Sequence, residues 1–188
     1  MTPMRVLFLT HSYPRFPDDP AGSFLHRLAV ALRAGGCDVH VLAPSGEGLS
    51  GEEAIDGVPV RRFRYAPRKM ESLAYTGTMA EQVLQSVRGK AALAGFLAAG
   101  GFAVNRAVKR LKPDVVHAHW WFPAGLLALS GADAPLVTTL HGSDVRLARR
   151  VSWVHPLFRK VMRRSSAVTS VSSWLAGEAR AMAPRAVI

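Results

Sequence analysis

Cysteine occurs once in the 188 residues, at Cys37, so no intrachain disulfide can form and no cysteine-rich zinc site can be built. Disulfide-stapled secreted domains and zinc fingers are thereby excluded, and a reducing cytosol is the expected setting. Acidic residues are also scarce: 13 Asp and Glu stand against 24 Lys and Arg, a net charge of +11. That balance favours an anionic partner, and nucleic acid, phosphorylated metabolites and anionic lipid all stay open on charge alone. Long apolar runs are missing too. Val6-Leu7-Phe8-Leu9 is followed at once by His11, Pro14 and Arg15, too short a core for a signal peptide and without a small-residue cleavage pattern. The stretch from Ala91 to Val104 is interrupted by glycines and flanked by Lys90 and Arg106, short of the roughly 18 residues a spanning helix needs. No transmembrane segment is expected. Neither a dinucleotide fingerprint nor a Walker loop is expected.

What is present is an alternation of short β-branched runs with longer helix-periodic segments, which predicts repeated βαβ units. Strands are expected at Arg5 to Thr10, Asp38 to Ala43, Val58 to Tyr65, Asp114 to His119, Leu136 to Leu140 and Ala167 to Val171. The third is more polar and edge-like. Ser23 is placed to cap a helix whose Phe24, Leu25, Leu28, Ala29 and Leu32 recur at helical spacing, with Gly35-Gly36 as its stop. Ser45 to Gly57 reads as a glycine-rich loop. Met79 to Val87 and Ala91 to Leu111 read as two helices, weakened at Gly95, Gly100 and Gly101. Pro123 opens a short helix, Pro156 to Ser165 forms another, and Ser172 or Ser173 caps a last one through Met182. Pro184 to Ile188 looks like a turn running into a further strand. The predicted fold class is α/β, a Rossmann-like three-layer domain around a mostly parallel sheet, covering residues 1–188 as one unit.

In such sheets ligands bind beyond the carboxyl ends of the strands. Those positions here carry His11-Ser12-Tyr13-Pro14-Arg15, then His119-Trp120-Trp121-Phe122-Pro123, then His141-Gly142-Ser143-Asp144. Three histidines, His11, His119 and His141, therefore converge on one rim. Gly22 and Ser23 stand at the amino end of a helix, where free N–H groups and the dipole suit an anion, although an ordinary turn and cap has the same pattern. His117 and His119 point to one face and, with His141, form an H-x-H plus H set with the makings of a metal site. No cysteine or glutamate lies near enough in sequence to complete its shell, so no metal is assigned and His117 is read as a hydrogen-bonded core histidine. Gly142 permits close backbone approach to a ligand. Asp144 is either a cleft residue or the cap of the following helix.

At these residues the chain resembles the N-terminal domain of a GT-B glycosyltransferase of the large retaining family 4. The resemblance rests on the opening strand with Tyr13-Pro14, the Ala21-Gly22-Ser23 loop and the helix ending Gly35-Gly36-Cys37-Asp38-Val39. It continues through Pro113-Asp114-Val115-Val116-His117-Ala118-His119, Pro123-Ala124-Gly125 and Thr139-Leu140-His141-Gly142-Ser143-Asp144. It implies a hexosyltransferase-like enzyme that passes a sugar from a nucleotide sugar to a glycan or lipid-linked acceptor. By the resemblance Gly22 and Ser23 lie against the donor phosphates and acceptor, and His141 contacts the donor sugar beside the reacting centre. His119, Gly142 and Asp144 line the same cleft. The resemblance implies no protein nucleophile, no metal and no cofactor beyond the donor. Position 21 departs from the common Gly-Gly by being alanine. The family's nucleotide-binding C-terminal domain, with its paired glutamates, is not in this sequence, so the chain is expected to be half of an enzyme, with little activity alone.

Sixteen cationic residues fall in three clusters, comprising Arg61, Arg62, Arg64, Arg68 and Lys69, then Arg106, Lys109, Arg110 and Lys112, then seven between Arg146 and Arg164. Leu157 to Arg164 alternates apolar and basic pairs as a two-faced helix. Its basic face suits either solvent or an anionic membrane, so a cytoplasmic protein that is peripheral on the inner membrane face is one expectation. A non-enzymatic anion-binding or nucleic-acid-binding module is the rival reading, although no nucleic-acid recognition motif accompanies the charge and no specific nucleic acid is expected. A histidine-liganded metal-dependent hydrolase is the third.

Overall fold

The computed structural model describes residues 2–46, 49, 51–67, 71, 73–75, 79–131 and 133–184, with backbone alone at 80, 81 and 84. Seven strands form one sheet: β1 (Arg5–Leu9), β2 (Asp38–Pro44), β3 (Glu52–Ile55), β4 (Val58–Phe63), β5 (Val115–His119), β6 (Leu136–Leu140) and β7 (Ala167–Ser170). Their order is β3-β4-β2-β1-β5-β6-β7, all parallel except β3, which runs antiparallel to β4 at the edge. Helices α1 (Ser23–Ala34), α2 (Met79–Gln85), α3 (Val87–Leu111), α4 (Leu126–Ala128), α5 (Ser143–Arg150), α6 (His155–Arg164) and α7 (Ser173–Met182) cover it.

Alternation along β1 sets the layers. Val6 and Phe8 face one side, where Leu25 and Ala29 of α1 pack over them with Val39 and Val41 of β2. Leu7 and Leu9 face the other, against Phe96, Val104 and Ala107 of α3. A third core joins Leu140 and Val168 to α5, α6 and α7 through Val145, Phe158, Val161 and Leu175.

Three expectations need correction. Ser45 to Gly57 is not all loop: Glu52–Ile55 pairs with β4 across a two-residue turn, with Ile55 opposite Val58. Asp56 and Gly57 both have positive φ, 46° and 74°, the twist a two-residue hairpin favours. The spacing Gly46-x-Gly48-x-x-Gly51 formally matches a dinucleotide fingerprint, yet it leads from β2 into this strand and not into a helix.

The glycines do not weaken α3, which runs unbroken for 25 residues. A Cβ on Gly95 would stand 2.6 Å from the Tyr65 carbonyl oxygen, and one on Gly100 would stand 2.7 Å from Leu127. Both glycines mark close packing of other segments on the helix. As a single helix it is long and apolar enough, by length and composition, to cross a membrane, which the interrupted sequence pattern did not suggest. Here its Phe96, Val104, Ala107 and Val108 are buried against the sheet.

Ser23 does not cap α1, since the capping position is Gly22 at φ 71° and no side chain accepts there. Pro123 opens the short helix as expected: it follows the non-helical Phe122 within Trp121–Gly125, and the helical backbone continues from it directly into α4. Ser172 does cap α7, its Oγ accepting from the Leu175 N–H. The strand expected from Pro184 onward falls at 185–188, outside the described residues, as do Arg68 and Lys69 of the first basic cluster.

Candidate active site at the strand ends

The strand order reverses between β1 and β5, so the loops leaving their carboxyl ends diverge and open a crevice. His119 ends β5 opposite Thr139 of β6, and His141 follows two residues on from Thr139. Residues two apart on a strand share a face, so the two imidazoles meet. His119 Nδ1 lies 3.2 Å from His141 Nε2. His117 stacks on His119 at 4.2 Å between centroids, and its Nε2 is 2.7 Å from Thr139 Oγ1. This is the hydrogen-bonded position expected for His117, with the rings stacked instead of converging on a common point.

Aromatic side chains wall the pair. The Trp120 ring lies 4.3 Å from that of His141 and 4.5 Å from that of His11, and Phe24 of α1 reaches His141 at 5.2 Å. Trp120 takes φ 68°, a left-handed conformation that costs a residue other than glycine about 1–3 kcal/mol and concentrates at functional sites. Beside these rings lies a cleft of about 320 Å³ lined by His11, Ser12, Ala21, Tyr75, Trp120, Ser143 and Asp144 among others. Of the histidines only His11 is in its lining; His141 is in ring contact with Trp120, and His119 with His141. Sequence reasoning placed His11 on the rim but gave it no role, and it passed over Trp120. The available signal was a tryptophan immediately after the strand-terminal histidine.

All four histidines are uncharged at neutral pH. Burial lowers His11, His117 and His141 to about 4, with the neighbouring His141 adding to the effect on His11 and His117 adding to that on His141. His119, 1% exposed, is held well below the ordinary value by burial and then by His117 and His141. Among the described residues His119 Nε2 and His11 Nδ1, both buried, find no hydrogen-bond partner. Neutral imidazoles with spare donor or acceptor capacity suit the hydroxyls of a sugar better than they suit salt bridges.

Asp144 organises the loop around them. Its Oδ1 accepts from the backbone N–H groups of His141, Gly142 and Val145, at 3.2, 2.9 and 3.0 Å, and its Oδ2 accepts from Trp121 N–H at 3.0 Å. Burial pushes its carboxyl above the ordinary value against the pull of these four donors. The residue touches the cleft with its hydrogen-bonding capacity spent on backbone. Gly142 takes φ 107°, a conformation that side-chain-bearing residues rarely adopt, and a Cβ there would lie 3.8 Å from Arg146 Nη2.

The first loop is braced from below. Gly22 at φ 71° packs so closely that a Cβ would stand 2.5 Å from Ser12 O. Ala21 needs no positive φ, so the alanine in place of the more common glycine is accommodated, and its N–H donates to Asp19 Oδ1. Asp19 is lowered to about 2 mainly by the Arg15 guanidinium. Gly22 and Ser23 thus follow the cleft-lining Ala21, and Phe24 joins their helix to His141.

Arg62, placed in a basic surface cluster by the sequence, is 4% exposed. Its guanidinium donates to Glu53 Oε1, to Tyr75 OH and to the Pro14 carbonyl, tying the first loop to β3 and β4. Arg61 and Arg64 pair with Glu52 and Glu71, so the described members of this cluster are all ion-paired. Among the described residues no group of three His, Cys, Asp or Glu side chains is arranged to hold a metal ion.

The sequence model of the glycosyl transferase 4-like domain matches residues 21–188. Glycogen synthase of Mycobacterium tuberculosis is 32% identical over 93% of this chain and 40% of its own length. A protein of Bacillus subtilis strain 168 named as a teichuronic acid biosynthesis glycosyltransferase, TuaC, is 27% identical over 94% of this chain and 46% of its own. The chain therefore spans less than half the length of these relatives. Among solved structures, sucrose-phosphate synthase from Thermosynechococcus elongatus superposes with a TM-score of 0.70 at 13% identity, over 98% of this chain and 46% of the other, a likeness of fold.

Proposed function

Because the chain belongs to the glycosyl transferase 4-like family, we propose that it forms the acceptor-side domain of a retaining transferase that moves a sugar from a nucleotide sugar to a glycan or lipid-linked acceptor. The observation that carries this reading is the neutral His119–His141 pair at the topological switch point, where the buried His119 Nε2 has no hydrogen-bond partner among the described residues. His141 orients the donor sugar by hydrogen bonding, and His119 holds the ring of His141 in place through the bond between them. Gly22 and Ser23 bring the α1 amino end, which has no acidic residue in its first turn, toward the donor phosphates. Gly142 leaves room for close approach of the ligand to backbone. Asp144 holds His141 and Gly142 in place through its backbone contacts.

The carboxylates nearest the cleft support a course without a protein nucleophile. Asp144 is occupied by four backbone N–H groups and Asp19 by Arg15 and Ala21, so neither is free to attack. As the family resemblance implies, the departing phosphate assists the incoming hydroxyl. No metal is assigned a role, the donor's base is held by a C-terminal nucleotide-binding domain of the complete enzyme, and this chain alone turns over little or nothing. The protein works in the cytoplasm, with the basic face of α6 toward the anionic inner surface of the membrane.

The test is radiolabelled transfer from a panel of nucleotide sugars by the complete enzyme, with and without EDTA. Retained anomeric configuration and indifference to EDTA are expected. Absence of transfer, together with steeply salt-dependent binding to generic single-stranded nucleic acid, would replace the enzyme with an anion-binding module.

A further inference from the structure

A second cavity opens between α2 and α3 on one side and the α5–α6 turn on the other. Every described residue lining it is apolar, including Leu93, Leu97, Leu126, Val151, Trp153 and Leu157. It shares Met79, Phe122 and Leu147 with the histidine cleft, so the two form one continuous surface with a polar end and an apolar end. At the far end Trp153 is 72% exposed, an expensive position for an indole with nothing upon it. Cations flank the groove. Lys90, Arg150 and Lys160 are exposed, have no ion-pair partner among the described residues, and stand three residues along their helices from the lining residues Leu93, Leu147 and Leu157.

We infer that this groove receives the hydrocarbon tail of an amphipathic acceptor, a single acyl or prenyl chain whose polar head lies in the histidine cleft. The inference rests on the transferase reading and narrows its acceptor to one that carries a lipid. Continuity with the cleft fixes the direction of the ligand: head beside His11, Ser12 and Trp120, tail past the shared Leu147 into the lining formed by Leu97, Leu157 and Trp153. The flanking cations match an anionic headgroup layer from which such a tail is drawn. The described side chains of this wall offer a free sugar chain no hydrogen bonds, so a water-soluble glycan gains little by entering it.

The test uses the 188-residue chain and n-alkyl phosphates of increasing length, each below its micelle concentration, followed by calorimetry and tryptophan fluorescence. Saturable one-to-one binding is expected, tightening about fourfold per added methylene until the groove is filled. Leu157→Glu should weaken the longer homologues by at least about tenfold, the equivalent of nearly two methylenes, and leave inorganic phosphate unaffected. Trp153→Ser, at an exposed position where refolding is not in question, should weaken the same homologues several-fold. Binding that does not change with chain length would mean that only the head is recognised, and the tail site would be wrong. Binding only to micelles or anionic vesicles would reduce the groove to a membrane contact and would also overturn it. Efficient transfer to a soluble sugar, with no gain from an alkyl tail, would remove the groove while leaving the transferase standing. Tail binding with no transfer by the complete enzyme would do the reverse.

Discussion

His119 Nδ1 and His141 Nε2 lie 3.2 Å apart, joining the last residue of β5 to the first residue beyond β6. One ring donates and the other accepts, and exchanging the tautomers preserves the bond, so the pair stays neutral in either arrangement. Their position follows from strand register. Their lowered proton affinity follows from burial.

The first prediction concerns pH. His11, His117 and His141 titrate near 4 in the fold, against the ordinary 6.5 of the unfolded chain. Between those values the unfolded state binds protons that the folded state refuses. Stability is therefore full above pH 6.5 and is lost as pH falls toward 4, by up to about 1.4 kcal/mol per pH unit for each histidine. Urea midpoints at pH 7.5, 6 and 5 should decline in that order, and His141→Asn should flatten the slope. A flat profile would mean that the imidazoles are charged in the fold.

Asp144→Asn keeps the shape but places an NH₂ group where one carboxylate oxygen accepts. Whichever way the amide turns, it sets a donor against either Trp121 N–H or the trio of His141, Gly142 and Val145. The expected cost is about 1–3 kcal/mol in chemical denaturation. Equal stability of the two proteins would show that these backbone contacts are not needed to hold the loop.

Arg62→Met should cost about 3–5 kcal/mol, because Glu53 is left as a partly buried charge and the Pro14 carbonyl and Tyr75 hydroxyl lose their donor. Arg62→Lys is expected to rescue only a minor part, since one ammonium cannot span three acceptors held by a planar fork. Full rescue by lysine would contradict this. The readout is the urea midpoint of each variant at pH 7.

Gly22→Ala puts a Cβ 2.5 Å from Ser12 O at a φ of 71°. A loss of roughly 1–3 kcal/mol follows from the strained conformation alone, and the first loop must shift. Slower turnover by the complete enzyme should accompany that loss. Wild-type stability in this variant would show that the loop is loosely held.

Much of this architecture was legible because both faces of the parallel strands are buried. Val6 to Leu9, Val115 to His119 and Leu136 to Leu140 read as strands at once, and strand ends then named His119 and His141. The edge hairpin was less visible, since Glu52 to Ile55 is polar, although Asp56-Gly57 between Ile55 and Val58 carried its turn signal. Gly95 and Gly100 were misleading for a tertiary reason. Their missing side chains make room for Tyr65 and Leu127, residues that the local sequence does not place nearby. Arg62 was read as surface because its partners Pro14, Glu53 and Tyr75 come together only in the folded sheet. The conformation of Trp120, likewise, depends on the cleft around it.

The most direct test of the central claim is the turnover of the complete enzyme with His141→Ala, measured as kcat and KM at saturating donor beside the urea midpoint of the same variant. If His141 positions the donor sugar against His119, kcat should fall by about 10²–10³-fold while the variant stays folded at pH 7. An unchanged kcat in a folded protein would contradict the account, and the histidine pair would then be a packing feature of the strand ends.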